Sequence, residues 1–395
     1  MGKSHSKRSP ISSSPSYNNG SFITTKKQTS PSLISNNSRS HSLLNKRISS
    51  FSSFSMKSSP CPKNTPPSVS ISTAPNTPAT LRSVFIESSD YYNNGDLSNH
   101  DGQLSESPSS EYKYINGRRF HNVDSVKYSL PNDDAEMDRL KLQHYLFRYI
   151  FQGSFSSPVE EILKIGGTEV LDLGCGPGTW LFEMGDNFPK SNFTGVDLTN
   201  TLSGNDSFQF QNVKFVKGNV LDSLPFKDST FDYVFIRYLS FGFTEQDWKY
   251  VINEIIRITK PGGWIEFMEP EFKLRNNGPI SEYLNDAMIK DLDSRNICTN
   301  ITTKLEQFLM DTKQANKVFH DEKPSNFGSC NGRFGELACN DFIMIMRTIE
   351  PRLLQIIETS NEEYDQLLQN IPDEMNQFRP FYICHRFWTQ KLFPM

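Results

Sequence analysis

The stretch Val170 to Gly178, VLDLGCGPG, places three glycines at every second position after an apolar run that carries an acid. Glycines in such a loop let the main chain come close to a ligand, and a helix following it offers unpaired N–H groups. A dinucleotide fingerprint reads GxGxxG, with its third glycine one position later. Here the spacing is GxGxG, and Asp172 stands two residues before the first glycine. A carboxylate is awkward beside a pyrophosphate but suits a ligand that carries an ammonium group. Asp197 follows nineteen residues after Gly178, at the end of the next predicted strand, where a carboxylate can accept hydrogen bonds from both ribose hydroxyls. The loop therefore wants a nucleoside with an amino-acid head and no diphosphate, a description that S-adenosylmethionine fits.

The elements around these residues alternate. Short β-rich runs are predicted over Glu169 to Leu173, Asn192 to Leu198, Val213 to Lys217, Phe231 to Tyr238 and Trp264 to Met268. Helices are predicted over Thr179 to Asn187 and from a Thr244/Asp247 capping box, the latter with Trp248, Val251, Ile252, Ile255 and Ile256 on one face. Such alternation implies a parallel sheet with helices on both sides, and ligands bind such sheets at the carboxyl ends of the strands. Ahead of this core, a helix runs from about Asp133, with Asn132 as its expected N-cap. Its expected apolar face is Met137, Leu140, Leu142, Tyr145, Leu146 and Tyr149. A short helix from Pro158 to Leu163 ends at Gly166-Gly167. Towards the C-terminus, helices are expected over Ser281 to Asp293, Thr303 to Leu309, Phe342 to Glu358 and Glu362 to Gln369. Strands are expected over Lys317 to Glu322 and Phe381 to Trp388.

The two ends of the 395-residue chain are different materials. Residues 1–110 are roughly 30% Ser and lack apolar periodicity, too little hydrocarbon to offset chain entropy, so they read as a disordered tail. That tail holds about eleven Lys or Arg and no acid before Glu87, whereas residues 111–395 carry about 30 bases against 40 acids. An acidic domain makes nucleic-acid binding through its own face unfavourable. The start MGKSHS satisfies the N-myristoylation pattern at Gly2, which would add weak membrane association. Ser-Pro and Thr-Pro pairs such as Ser9, Ser14 and Thr65 offer sites where phosphorylation would cancel basic charge. Six cysteines form no CxxC pair and no His cluster accompanies them, so no metal is expected. No apolar run approaches the length of a membrane span, and a cytoplasmic protein is expected, with nuclear or peripheral membrane locations as alternatives.

The motifs VLDLGCGPG, GVDL, FVKGNVLDSLPF, DSTFDYVFIR and KPGGWIEFMEPE occur in this order over about 100 residues. In this the chain resembles the class I S-adenosylmethionine-dependent methyltransferases. LPNDDAEMDRLKLQH and GRFGELACNDF are similar to fungal methyltransferases related to velvet-complex regulators. The resemblance implies an α/β, Rossmann-like, seven-stranded and mostly parallel sheet with helices on both faces, its last strand (Phe381 to Trp388) antiparallel. Core motifs then span 168–270, and substrate or lid elements 271–395, within a methyltransferase domain over 111–395. It implies that Asp172, Gly174, Gly176 and Gly178 hold the methionine part of S-adenosylmethionine, Cys175 contributing its backbone. Asp197 takes the ribose, and Asn219 and Val220 the adenine, although the family more often has Asp at the first of these. Arg237 to Leu239 face the methyl group and substrate, and Tyr128, Gln143 and His144 form a lid. Arg237 reads equally as a structural ion-pair partner, and His144 as an ordinary core or surface histidine. Glu269 and Glu271 face either the cleft or solvent. No catalytic constellation is evident, and none is needed for displacement at an activated carbon. The methyl acceptor, small molecule or protein, is not specified, and a catalytically weak regulatory partner is the alternative function.

Overall fold

The computed structural model describes residues 112–123, 127–198 and 210–394. The basic tail, Gly2 and the Ser-Pro and Thr-Pro pairs lie outside the described residues. Strands are β1 (Tyr112–Ile115), β2 (Arg118–His121), β3 (Glu169–Leu173), β4 (Asn192–Asp197), β5 (Val213–Lys217), β6 (Phe231–Arg237), β7 (Thr259–Pro270), β8 (Phe319–Asn326) and β9 (Phe381–Gln390). Helices are α1 (Asp134–Phe151), α2 (Glu160–Ile165), α3 (Thr179–Asn187), α4 (Glu245–Ile258), α5 (Pro279–Ser294), α6 (Leu305–Asp311), α7 (Gly332–Ile357) and α8 (Asn361–Phe378).

β1 and β2 form a hairpin, and the other seven strands make one sheet in the order β5-β4-β3-β6-β7-β9-β8. β3 to β7 are mutually parallel, and β9 runs antiparallel between β7 and β8. This is the expected seven-stranded sheet with its reversed last strand. The strand order turns back at β3, which pairs with β4 on one side and β6 on the other, so the crevice between the outgoing connections opens above β3. Central strands are apolar on both faces because helices cover both. Val170, Tyr233 and Phe235 pack with α3, α5, α7 and α8, while Leu171, Val234 and Ile236 pack with α4 and α6. Trp180 of α3 stacks on Phe235 at 4.4 Å between ring centres. The α4 face is the one the sequence predicts, with Trp248, Val251, Ile252, Ile255 and Ile256 all buried. Its capping box closes through Thr244 and Asp247.

Several expectations are corrected. The N-cap of α1 is Asp133, whose Oδ1 accepts from the Glu136 N–H at 3.1 Å. Asn132 instead binds the hairpin, accepting from Arg119 Nε at 3.0 Å. The buried side of α1 keeps only Leu146 of the predicted apolar set. It carries Glu136, Arg139, Gln143 and His144 beside Leu146 and Phe147, and Tyr149 is exposed. Charge is tolerated inside because it is paired: Arg139 reaches Glu136 at 2.7 Å and Asp341 at 2.9 Å. α7 and α8 run further than expected, each through an internal proline, Pro351 and Pro372. β8 lies at 319–326 rather than 317–322 and includes Pro324, which an outermost strand accommodates because one side of it has no ladder to complete. The hairpin lies outside the predicted elements, though Asn116-Gly117 between two short β runs is its ordinary signal, with both residues at positive φ.

Candidate functional site

A cleft of about 980 Å³, measured out to its open mouth, lies at the carboxyl ends of β3, β4, β5 and β6. Its floor is Gly174, Cys175 and Gly176, its sides are Asp197 with Leu198 and Asn219 with Val220, and Arg237 to Leu239 form the end wall. His121, Tyr128 and Asn132 overhang it with Leu140 and Gln143 of α1. Thus Tyr128 and Gln143, expected as lid residues, line the cleft, and His121 joins them from the β1–β2 hairpin, which lies outside the predicted elements.

The loop is built by glycine. Gly174 has φ +74°, and a Cβ there would lie 2.5 Å from Leu239 Cδ2. The N–H groups of Gly174 and Cys175 donate to the Val196 carbonyl at 2.8 and 3.1 Å, tying the loop to β4. Asp197, at the end of that strand, accepts from the Gly176 N–H at 2.9 Å. Loop and carboxylate are therefore one unit. Asn219 Oδ1 accepts from the Leu221 N–H at 3.0 Å, which fixes the turn after β5. Cys175 is buried, and burial together with Asp197 and Asp172 holds its thiol well above the usual range, so it is no nucleophile.

Asp172 and Gly178 do not reach the cleft wall. Gly178 caps α3 against Phe215, where a Cβ would approach Cζ to 2.7 Å. Asp172 lies behind the loop, fully buried, and neither carboxylate oxygen has a hydrogen-bond partner. Burial, reinforced by Asp197 and opposed by Arg237, pushes its carboxyl up to about 7. An unsatisfied carboxylate costs stability unless something positive comes near it. This orphan beneath a glycine loop fits a ligand whose head group is cationic.

Arg237 is buried, and its guanidinium donates to His144 Nδ1 at 2.9 Å. That contact leaves the His144 proton on Nε2, which lies 2.8 Å from Glu183. Burial holds the His144 imidazole down at about 4, so it is neutral. Glu183 is further held by Arg148 at 2.8 Å. His144 is therefore not a lid residue. It is a buried link that fixes the direction of Arg237 through a hydrogen bond to a neutral ring, which is a structural contact but not the ion pair expected. Neither Glu269 nor Glu271 is solvated as an isolated acid. Glu269 is fully buried, accepts from the Leu239 N–H at 2.9 Å and is pushed up to about 7 by burial. It supports the end wall of the cleft from behind. Glu271 lines a second cavity of about 500 Å³, with Phe241, Phe272, Phe327, Phe342 and Tyr382. Gln143 borders both spaces. Its aromatic wall comes from residues 241 to 382, scattered in sequence, which is why no motif announced it.

Residues 170–263 match a family model described as a methyltransferase domain. The sheet order and the glycine loop agree with this match: the fold is that of an S-adenosylmethionine-dependent methyltransferase domain. Among named relatives it is 32% identical to methyltransferase pytC of Aspergillus terreus over 164 residues, 40% of this chain and 46% of that one. It is 34% identical to the secondary metabolism regulator laeA of Coprinopsis cinerea over 161 residues, 40% of this chain and 39% of that one. The matched segments thus span about half or less of those relatives. Among solved structures, a phosphoethanolamine N-methyltransferase 2 of Haemonchus contortus aligns with TM-score 0.39 and 18% identity, covering 70% of this chain and 62% of that one.

Proposed function

We propose that the chain binds S-adenosylmethionine in the cleft above β3 to β6 and methylates a small acceptor seated in the adjoining aromatic cavity. Asp172 carries this reading: a buried carboxylate without a hydrogen-bond partner, set under a glycine loop that borders an open cleft. When bound, the cofactor supplies a methyl carbon on a positively charged sulfur, already activated for displacement. The chain has only to bind, align and exclude water. Asp172 supplies a buried counter-charge for the cationic head, and Gly174 to Gly176 give it close backbone contact. Asp197, locked to the loop, meets the sugar hydroxyls, and Asn219 and Val220 border the base. Arg237, steadied by His144 and Glu183, sets the acceptor end. The predominantly apolar wall of the second cavity favours a compact molecule with an aromatic or aliphatic body over an extended protein segment.

Isothermal calorimetry with S-adenosylmethionine on the full chain tests the first half of the proposal: saturable binding is expected, lost in Asp197→Ala. Absence of binding by the wild-type chain refutes it. Incubating cell extract with radiolabelled cofactor, then separating labelled protein from labelled metabolite, tests the acceptor class. The similarity to proteins named as secondary metabolism regulators favours a second reading, a cofactor-binding regulatory partner with weak or no turnover. Binding without any methyl incorporation supports that alternative.

A further inference from the structure

Histidines that are dispersed in the sequence meet at the far edge of the sheet. The β8–β9 register sets His320 opposite Phe387 and Glu322 opposite His385, so these four side chains share one face of the ladder. His320 Nε2 lies 2.8 Å from His385 Nδ1, and a Glu322 oxygen lies 3.9 Å from that same nitrogen. Among the described residues this is where three potential metal-ligand atoms converge, all within 4.8 Å of one another. Tetrahedral zinc with bonds of about 2.0–2.1 Å needs ligand atoms about 3.3 Å apart. The two ring nitrogens must therefore open, and Glu322 close, by roughly half an ångström each relative to His385. His320 and Glu322 are exposed, so small side-chain rotations supply this.

The surroundings argue for more than a chance polar cluster. His385 is buried, and its other nitrogen, Nε2, lies 3.2 Å from Glu271 Oε1. A carboxylate there keeps the proton on Nε2 and aims the Nδ1 lone pair at His320 and Glu322, the outer-partner arrangement that orients metal-binding histidines. Glu271 is itself held by Arg275 through contacts of 3.0 and 2.8 Å. The His320 ring lies flat against Phe387, 4.1 Å between centres at 2°. Thus the imidazoles are placed by packing, one carboxylate supports them from behind, and another approaches from the side.

We propose that His320, Glu322 and His385 form a site for a divalent transition metal of the zinc class, with a fourth position open to solvent. Two imidazoles and one carboxylate select zinc and its borderline-soft neighbours over magnesium and calcium, which want oxygen donors. The metal would clip β8, the outermost strand, to β9 and fix Glu271 in the wall of the second cavity. The test uses the full chain, stripped with a chelator and titrated with zinc chloride by calorimetry, with magnesium chloride as control. One saturable zinc equivalent is expected, weakened roughly tenfold or more by His320→Ala and about 10–100-fold by Glu271→Gln. Zinc should also raise the thermal midpoint of the wild-type chain but not of His320→Ala, whose metal-free midpoint reports that it still folds. No saturable binding overturns the proposal, and so does zinc binding that His320→Ala leaves unchanged.

Discussion

Replacing Asp172 by Asn should make the protein more stable and a worse binder at once. The carboxyl moves from an ordinary value of 3.8 to about 7 on folding. A displacement of that size corresponds to about 4 kcal/mol when the group is ionised. The sign follows from proton linkage. Between pH 3.8 and 7 the folded chain keeps a proton that the unfolded chain has lost, so stability falls as pH rises through that window. Above pH 7 the full penalty is present. Asparagine removes the charge and keeps the shape. Urea unfolding of both proteins, without cofactor, should therefore show Asp172→Asn ahead by up to about 4 kcal/mol at pH 8 and by little at pH 4. Glu269, also near 7, contributes a similar slope to both proteins and cancels in the difference. The same substitution should cut S-adenosylmethionine affinity, since the cationic ligand loses the buried counter-charge that lies behind the glycine loop. In the wild type, affinity should climb from pH 6 to about 7, above which proton loss from an α-amino group of ordinary pKa near 7.7–8.0 opposes any further gain. Equal stabilities at pH 8, or an affinity that Asp172→Asn leaves intact, refutes the argument.

Four further outcomes follow from the packing. Gly174→Ala should reduce cofactor affinity and cost about 1–2 kcal/mol of stability, because φ is +74° and Leu239 stands in the way of a Cβ; calorimetry and denaturation read both. His144→Gln should flatten the acid limb of stability: an imidazole held at about 4 against 6.5 unfolded contributes stability above pH 6.5 that is lost as pH falls towards 4. Trp248→Ala, which empties the fully buried centre of the α4 layer, should cost about 3–5 kcal/mol in urea unfolding. Thr244→Ala, breaking the capping box, should cost about 1 kcal/mol and leave cofactor binding unchanged.

Local sequence determined the parts of this protein whose physics is local. Strands β3 to β6 and the α4 stripe are legible because apolar periodicity and β-branched runs reflect contacts within one element and its cover. The GxGxG loop is legible because a positive φ admits few residues other than glycine. The order of alternating elements then leaves few topologies, and the cleft must open where strand order reverses. Tertiary structure decided the rest. The inward face of α1 departs from the apolar pattern because Glu136, Arg139 and His144 are buried only in company with Asp341, Glu183 and Arg237, partners that no local pattern reveals. The aromatic cavity is assembled from side chains more than a hundred residues apart, and the His320–His385 contact joins residues separated by 65 positions. Periodicity records which face of an element is greasy. It does not record which distant charge arrives to make a polar face worth burying.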